Sequence, residues 1–277
     1  MKKINLTTSQ IRQLQLKSLE IFIFFSNFCD KNNLKFFVCG GCCIGAIRNH
    51  GFIPWDDDMD IFMLREDYEK FKKIFTKNNK NKKYFCLLPL NNYEKNINHS
   101  FVKIIDTTTT IVKQNNSGCE ETTGVELDIF PLDGCPSSHI KRKIQILYAL
   151  FYCLYSSEVI PEKYGKLVKI LCIIFLKLVP GRKNKQKLCL FFEKNMSKYK
   201  IKECNYITEL CAGPKYMMNK YPKKIFESNI LKKFENILVP LPVGYDQYLK
   251  IVFGNYMELP QKKDQTPHHN IIFINFN

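Results

Sequence analysis

The chain opens with apolar residues at helical spacing. In "LTTSQIRQLQLKSLEIFIFFSNFC", Ile11, Leu14, Ile21, Phe22, Phe25 and Phe28 recur every three to four positions behind a Thr/Ser cap, and "DKNN" ends the run. This predicts a long first helix. The pattern then shortens. "LKFFVCGG" reads as a brief strand entering a glycine turn, and "CCIGAIRNH" as a short helix closed by Gly51. "MDIFML" reads as a strand because its apolar run is short. "REDYEKFKKIF" reads as a helix with acids first and lysines later, as the helix dipole favours. Further strands are predicted in "KYFCLLPL", "SFVKIID", "TTTTIVK" and "GVELDIFPL". From Ser137 to about Lys200 the pattern is mainly helical, and the remainder mixes short elements with turns. There is no internal repeat, and "TKNNKNKK" reads as a solvated loop.

These elements predict an α/β (α+β) chain with an α-and-β core over residues 1–135. A helical and C-terminal region, 136–277, packs on it. A length of 277 residues and a 45% hydrophobic fraction allow a true core. The net charge of +16 adds an expected anionic partner: nucleic acid, an anionic membrane surface, a nucleotide or an anionic polymer. Of the twelve cysteines, many lie in apolar runs, as Cys86 and Cys172 do, where a free thiol behaves as a small hydrophobe. "CGGCC" lacks the second cysteine pair that a zinc site needs. The start turns polar directly after two lysines, so no signal-peptide core is expected and a cytoplasmic setting is. "LVKILCIIFLKLV", Leu167 to Val179, is too short to span a bilayer and carries Lys169 and Lys177. It suits a core helix, or an in-plane membrane contact aided by the basic "PGRKNKQK" after it.

The chemistry concentrates in "WDDDMDIFM", Trp55 to Met63. Strand side chains alternate, so Asp58 and Asp60 are expected on one face with Met59 and Ile61 opposite. Asp57 is expected to face away, and Asp56 has no firm direction. Two adjacent carboxylates are costly without a proton or cation between them, and hard oxygen ligands suit Mg²⁺ or Mn²⁺. Upstream, Gly40 and Gly41 form a turn between strand and helix, where backbone N–H groups can approach phosphate. A strand, a Gly-Gly turn, a helix and two in-phase carboxylates make the plan of the nucleotidyltransferase fold. That plan also wants a third carboxylate on a neighbouring strand. "VELDIF" offers Asp128, with Glu126 in reserve on the same face.

"GAIRNHGFIPWDDDMDIFMLREDYEKF" closely resembles the signature of the LicD family of phosphotransferases. "VELDIFPLDGCP" resembles the family's second block and "FGNYMELPQKKDQTPHH" its C-terminal block. The likeness runs from about Lys31 to His269. One departure is "CGGCCIGA", where Cys42 and Cys43 replace the Thr and aliphatic residue common in the family's turn. The resemblance implies transfer of phosphocholine, or a related phospho-alcohol, from CDP-choline or another CDP-alcohol to a sugar hydroxyl, with CMP leaving. The acceptor would be a cell-surface glycan such as teichoic acid or lipopolysaccharide. Asp58, Asp60 and Asp128 would be catalytic and would hold Mg²⁺ or Mn²⁺. Gly40, Gly41, Arg48, His268 and His269 would bind the donor, and Lys103 and Arg65 are further candidates for phosphate. Trp55, Tyr245 and Tyr256 could stack on a base or a choline-like cation, or simply pack. An enzyme moving the nucleotide itself would use the same carboxylates. A basic nucleic-acid-binding module would leave three in-phase Asp positions without a purpose, so nucleic acid is not an expected partner.

Overall fold

The computed structural model describes residues 6–78, 81–89, 99–114, 120–160, 164–267 and 269–276. In chain order the elements begin with α1 (Thr8–Lys31), β1 (Phe37–Val38), α2 (Gly40–Arg48), β2 (Asp60–Leu64) and α3 (Arg65–Asn78). Five strands follow: β3 (Tyr84–Leu87), β4 (Val102–Asp106), β5 (Thr110–Gln114), β6 (Glu120–Thr123) and β7 (Glu126–Cys135). Then come α4 (His139–Ser157), α5 (Gly165–Leu178), α6 (Arg182–Met196), β8 (Tyr206–Glu209), α7 (Pro214–Met217) and β9 (Tyr221–Pro222). The chain closes with β10 (Asn229–Phe234), β11 (Ile237–Pro242), α8 (Tyr245–Phe253) and β12 (Ile271–Asn275). The expected α+β class with a mixed sheet is observed.

The chain divides into two compact units. The first comprises residues 1–87, 102–130 and 224–277, and the second residues 88–101 and 131–223. The division differs from the linear one expected at residue 135, because the last fifty-odd residues join the first unit. Hydrophobic periodicity marks elements but carries no record of which distant segments share a core.

In the first unit the sheet order is β1-β2-β7-β4-β3, and a smaller sheet runs β12-β5-β6. α1 begins with a capping box: Thr7 accepts from the Gln10 N–H, and the Gln10 side chain accepts from the Thr7 N–H. Its apolar face is buried, and Phe25 and Phe28 meet Phe36, Phe71 and Phe75 edge-on at 4.8–5.7 Å between ring centres. β10 and β11 form a hairpin. Its turn places Glu235 at φ +55° and lets the Glu235 N–H donate to His50 O at 2.8 Å. Pro240 and Pro242 in β11 disguise that strand in the sequence.

In the second unit the end of β7 pairs antiparallel with β8, and β8 with β9. Ala149, Tyr152 and Tyr155 of α4 share a buried cluster with Cys189, Met196, Leu210 and Met217. Phe175 and Leu176 of α5, and Val179 at its C-terminal end, pack against it. Buried Arg142 donates to Gln145, Thr208 and the Met217 carbonyl. No described helix is long and apolar enough to cross a membrane.

Candidate active site

The acidic segment lies entirely in the first unit, and backbone bonds clamp it. Asp60 O accepts from Cys39 N at 3.0 Å, and Met59 O from Asp128 N at 3.3 Å. Gln15, buried on α1, donates to Ile53 O at 3.1 Å and Asp56 O at 2.9 Å. β2 begins only at Asp60, so Asp56 to Met59 are an extended lead-in and strand alternation does not govern them. This is why Asp57 departs from its expected outward direction. It is buried, and Asp57 Oδ2 accepts from the His269 N–H at 3.2 Å. His269 Nδ1 lies 3.3 Å from Asp57 Oδ1 and 3.8 Å from Asp58 Oδ2. Asp57, Asp58 and His269 thus present ligand atoms within 4.8 Å of one another.

The glycine turn closes over the carboxylates. α2 starts at Gly40, which holds φ +59°, and a Cβ there would lie 3.0 Å from Asp60 Oδ2. A Cβ on Gly41 would lie 2.2 Å from Asp56 Oδ2. The Gly40 N–H donates to the Tyr248 hydroxyl at 3.1 Å. The close approach that the two glycines permit is therefore to Asp60 and Asp56. Burial, then Asp58 and Asp57, push the Asp56 carboxyl well above its usual range. Burial, then Asp58, Asp128 and Asp56, do the same to Asp60. Asp56 Oδ2 is buried with no hydrogen-bond partner. An orphaned oxygen among mutually repelling carboxyls is the arrangement a divalent cation relieves.

Asp128 and Glu126 share a face of β7, and Lys103, Asp128's cross-strand partner on β4, bridges them. Lys103 Nζ lies 2.9 Å from Glu126 Oε1 and 3.2 Å from Asp128 Oδ1. The environments of the two acids differ. Burial alone would raise Glu126, but Lys103 and Lys113 outweigh it and hold the carboxyl well below its usual range. Burial raises Asp128, and Lys103 only partly offsets it. Burial and the three acids Asp56, Asp58 and Asp60 push the Cys42 thiol far up. Cys42 stays a neutral thiol, its Sγ 3.5 Å from Asp58 O. At His269, Lys113 and burial work against protonation, but the bond to Asp57 and the charges of Asp58 and Asp57 raise it overall.

Other expected residues fall elsewhere. Arg48 Nη1 donates to Tyr256 O at 2.9 Å and to Glu258 O at 3.4 Å, tying α2 to the C-terminal segment. Arg65 pairs with Glu69. Trp55 is half-buried in the turn after Pro54. Tyr245 receives Lys232 over its ring at 5.5 Å, and Tyr256 donates to Asp246. His268 lies outside the described residues. Described cysteines are free thiols, and those of "CGGCC" are buried. Sequence reading missed Lys113 and Tyr248. Scattered lysines carry no positional signal, and nothing local marks a tyrosine 208 positions from the glycine it serves.

The model of the LicD/FKTN/FKRP nucleotidyltransferase domain matches residues 33–148, which span the glycine turn, the acidic segment and Asp128. A lipopolysaccharide cholinephosphotransferase LicD of Haemophilus influenzae is 29% identical over 284 residues, covering 97% of each chain. An uncharacterised protein of Rickettsia typhi is 31% identical over 77 residues, 26% of this chain and 25% of its own. Residues 33–148 thus match the LicD/FKTN/FKRP nucleotidyltransferase domain across the acidic core, and the chain is similar nearly end to end to the Haemophilus LicD protein.

Proposed function

We propose that the chain transfers phosphocholine, or a related phospho-alcohol, from CDP-choline or another CDP-alcohol to a sugar hydroxyl of a cell-surface glycan, at the cytoplasmic side. Lipopolysaccharide is the leading acceptor, as the name of the Haemophilus relative indicates, and teichoic acid the second. The acceptor oxygen bonds to the phosphorus bearing the alcohol, the bond from that phosphorus to CMP breaks, and CMP departs. The observation that carries this reading is the set of Asp56, Asp58, Asp60 and Asp128 under a glycine turn, with the Asp56, Asp60 and Asp128 carboxyls raised and Asp56 Oδ2 buried without a hydrogen-bond partner.

Asp58, Asp60 and Asp128 would hold Mg²⁺ or Mn²⁺, with Asp57 and His269 as adjoining donors. When bound, the cation neutralises the diphosphate and lowers the pKa of the acceptor hydroxyl. Asp128 takes the acceptor's proton, a role suited to a carboxyl raised above its usual range. Lys103 holds Asp128 in place from the neighbouring strand. Glu126 serves chiefly to balance Lys103 and Lys113.

Incubation with Mg²⁺ and a panel of CDP-alcohols, with and without lipopolysaccharide or teichoic acid acceptors, tests the reading. CMP release that depends on acceptor supports it. Pyrophosphate release from a nucleoside triphosphate, with CDP-alcohols inert, would assign nucleotidyl transfer instead.

A further inference from the structure

α5 has no buried residue, although it is the most apolar helix of the second unit. Its side chains sort into three rows. Cys172, Phe175 and Leu176, with Val179 just past the helix end, are spaced at i, i+3, i+4 and i+7 and half-buried, and the last three pack on the unit's core. The Tyr155 hydroxyl donates to Phe175 O at 2.9 Å, fixing the helix by this side. Leu167, Ile170, Leu171, Ile174 and Leu178, at i, i+3, i+4, i+7 and i+11, form a second row that faces solvent. Leu167 is 72% exposed, Ile170 53% and Leu178 68%, values at which an aliphatic side chain gains little from folding. Lys166, Lys169 and Lys177, all exposed, form the third row.

We propose that this face of α5, with the start of α6, docks onto an anionic lipid bilayer and lies in the plane of its headgroups. Charge selects the occupant. From residue 164 to 192 the chain holds seven cations, Lys166, Lys169, Lys177, Arg182, Lys183, Lys185 and Lys187, and no Asp or Glu. Lys185 pairs with Glu158. An anionic headgroup layer complements such a segment, and the acyl boundary beneath accepts the leucine and isoleucine row. A second copy of this chain would oppose cations to cations across the same face, in a molecule already at +16. The helix is too short and too charged to span, which leaves surface docking. The inference is independent of which group the enzyme transfers, because membrane binding is read without turnover.

The experiment is co-sedimentation of the full chain with phosphatidylcholine vesicles carrying or lacking phosphatidylglycerol. Wild type is expected on the anionic vesicles at low salt, released near about 0.5 M salt, and absent from the neutral ones. Leu167→Glu/Leu171→Glu should weaken binding by about tenfold or more with an unchanged melting temperature, since both side chains are exposed. Lys166→Glu/Lys169→Glu should weaken it and reduce its salt sensitivity. Failure of wild type to bind, equal binding to both vesicle types, or wild-type binding by both variants overturns the proposal. So does a wild-type dimer that Leu167→Glu/Leu171→Glu converts to monomer, which would assign the face to a second copy.

Discussion

Gly41 has no room for a side chain, because its missing Cβ would sit 2.2 Å from Asp56 Oδ2. Gly41→Ala should displace Asp56, cost about 1–3 kcal/mol as overpacking and weaken Mg²⁺ binding, read by denaturation and calorimetry. The two acids of β7 should separate cleanly. Asp128→Asn should reduce CMP release by several orders of magnitude, on the scale of about 4 kcal/mol or more in barrier, with a small change in stability. Glu126→Gln should instead cost about 3 kcal/mol of stability, because it leaves Lys103 and Lys113 underbalanced in a buried site. Equal effects of both on rate would remove the distinction. In the second unit, burial raises the Glu209 carboxyl to about 7 from an ordinary 4.5, only partly countered by Tyr221 and Asn219. The folded state therefore holds a proton that the unfolded chain releases near 4.5. Stability from this group is greatest below pH 4.5, falls as pH rises toward 7, and is flat above. The difference is about 3 kcal/mol, and a pH series of urea melts on Glu209→Gln should show that slope removed.

Elements bring these residues together by fixing their ends. α1 contributes Gln15 to the acidic segment only if its first turns are formed, and its N-terminus depends on the reciprocal Thr7–Gln10 cap. Thr7→Ala should cost about 1 kcal/mol and accelerate hydrogen exchange in the first turn of the helix. Measured exchange equal to wild type would show that tertiary packing, rather than the cap, holds that end. α1, the short α2, β2, α3, β3, β4, β5 and β7 were legible from periodicity and caps, because each carries its own apolar pattern. The β10–β11 hairpin and β12 were not. Prolines hide β11, and β12 is recognised only by its pairing with β5.

At the scale of the molecule, the acidic cluster is a store of repulsion in the unit that contains it. Mg²⁺ binding only the folded form should raise that unit's thermal midpoint, by about 2.7 kcal/mol of stability at a hundredfold excess over Kd. Asp60→Asn should raise the metal-free midpoint by removing one buried, mutually repelling carboxyl, and should abolish the Mg²⁺ response. A response retained in full by Asp60→Asn would place the cation elsewhere, with Asp57, Asp58 and His269 the next group to vary.

By itself the sequence determined the α+β class, the neutral buried cysteines, and a resemblance that the domain match and the Haemophilus relative bear out, and it singled out the acidic segment with Asp128 as the proposed seat of the chemistry. All of these are written in local order, as spacing, caps and contiguous blocks. Only the tertiary structure decided that Asp57 turns inward to His269, since strand alternation begins at Asp60 and does not reach back to it. It also decided that Lys113 and Lys103 converge on Glu126, that residues 224–277 belong to the unit bearing the acids, and that α5 keeps its aliphatic row in solvent. Each of those depends on contacts between residues far apart in the chain, where packing and long-range charge, rather than local propensity, set which side chains meet.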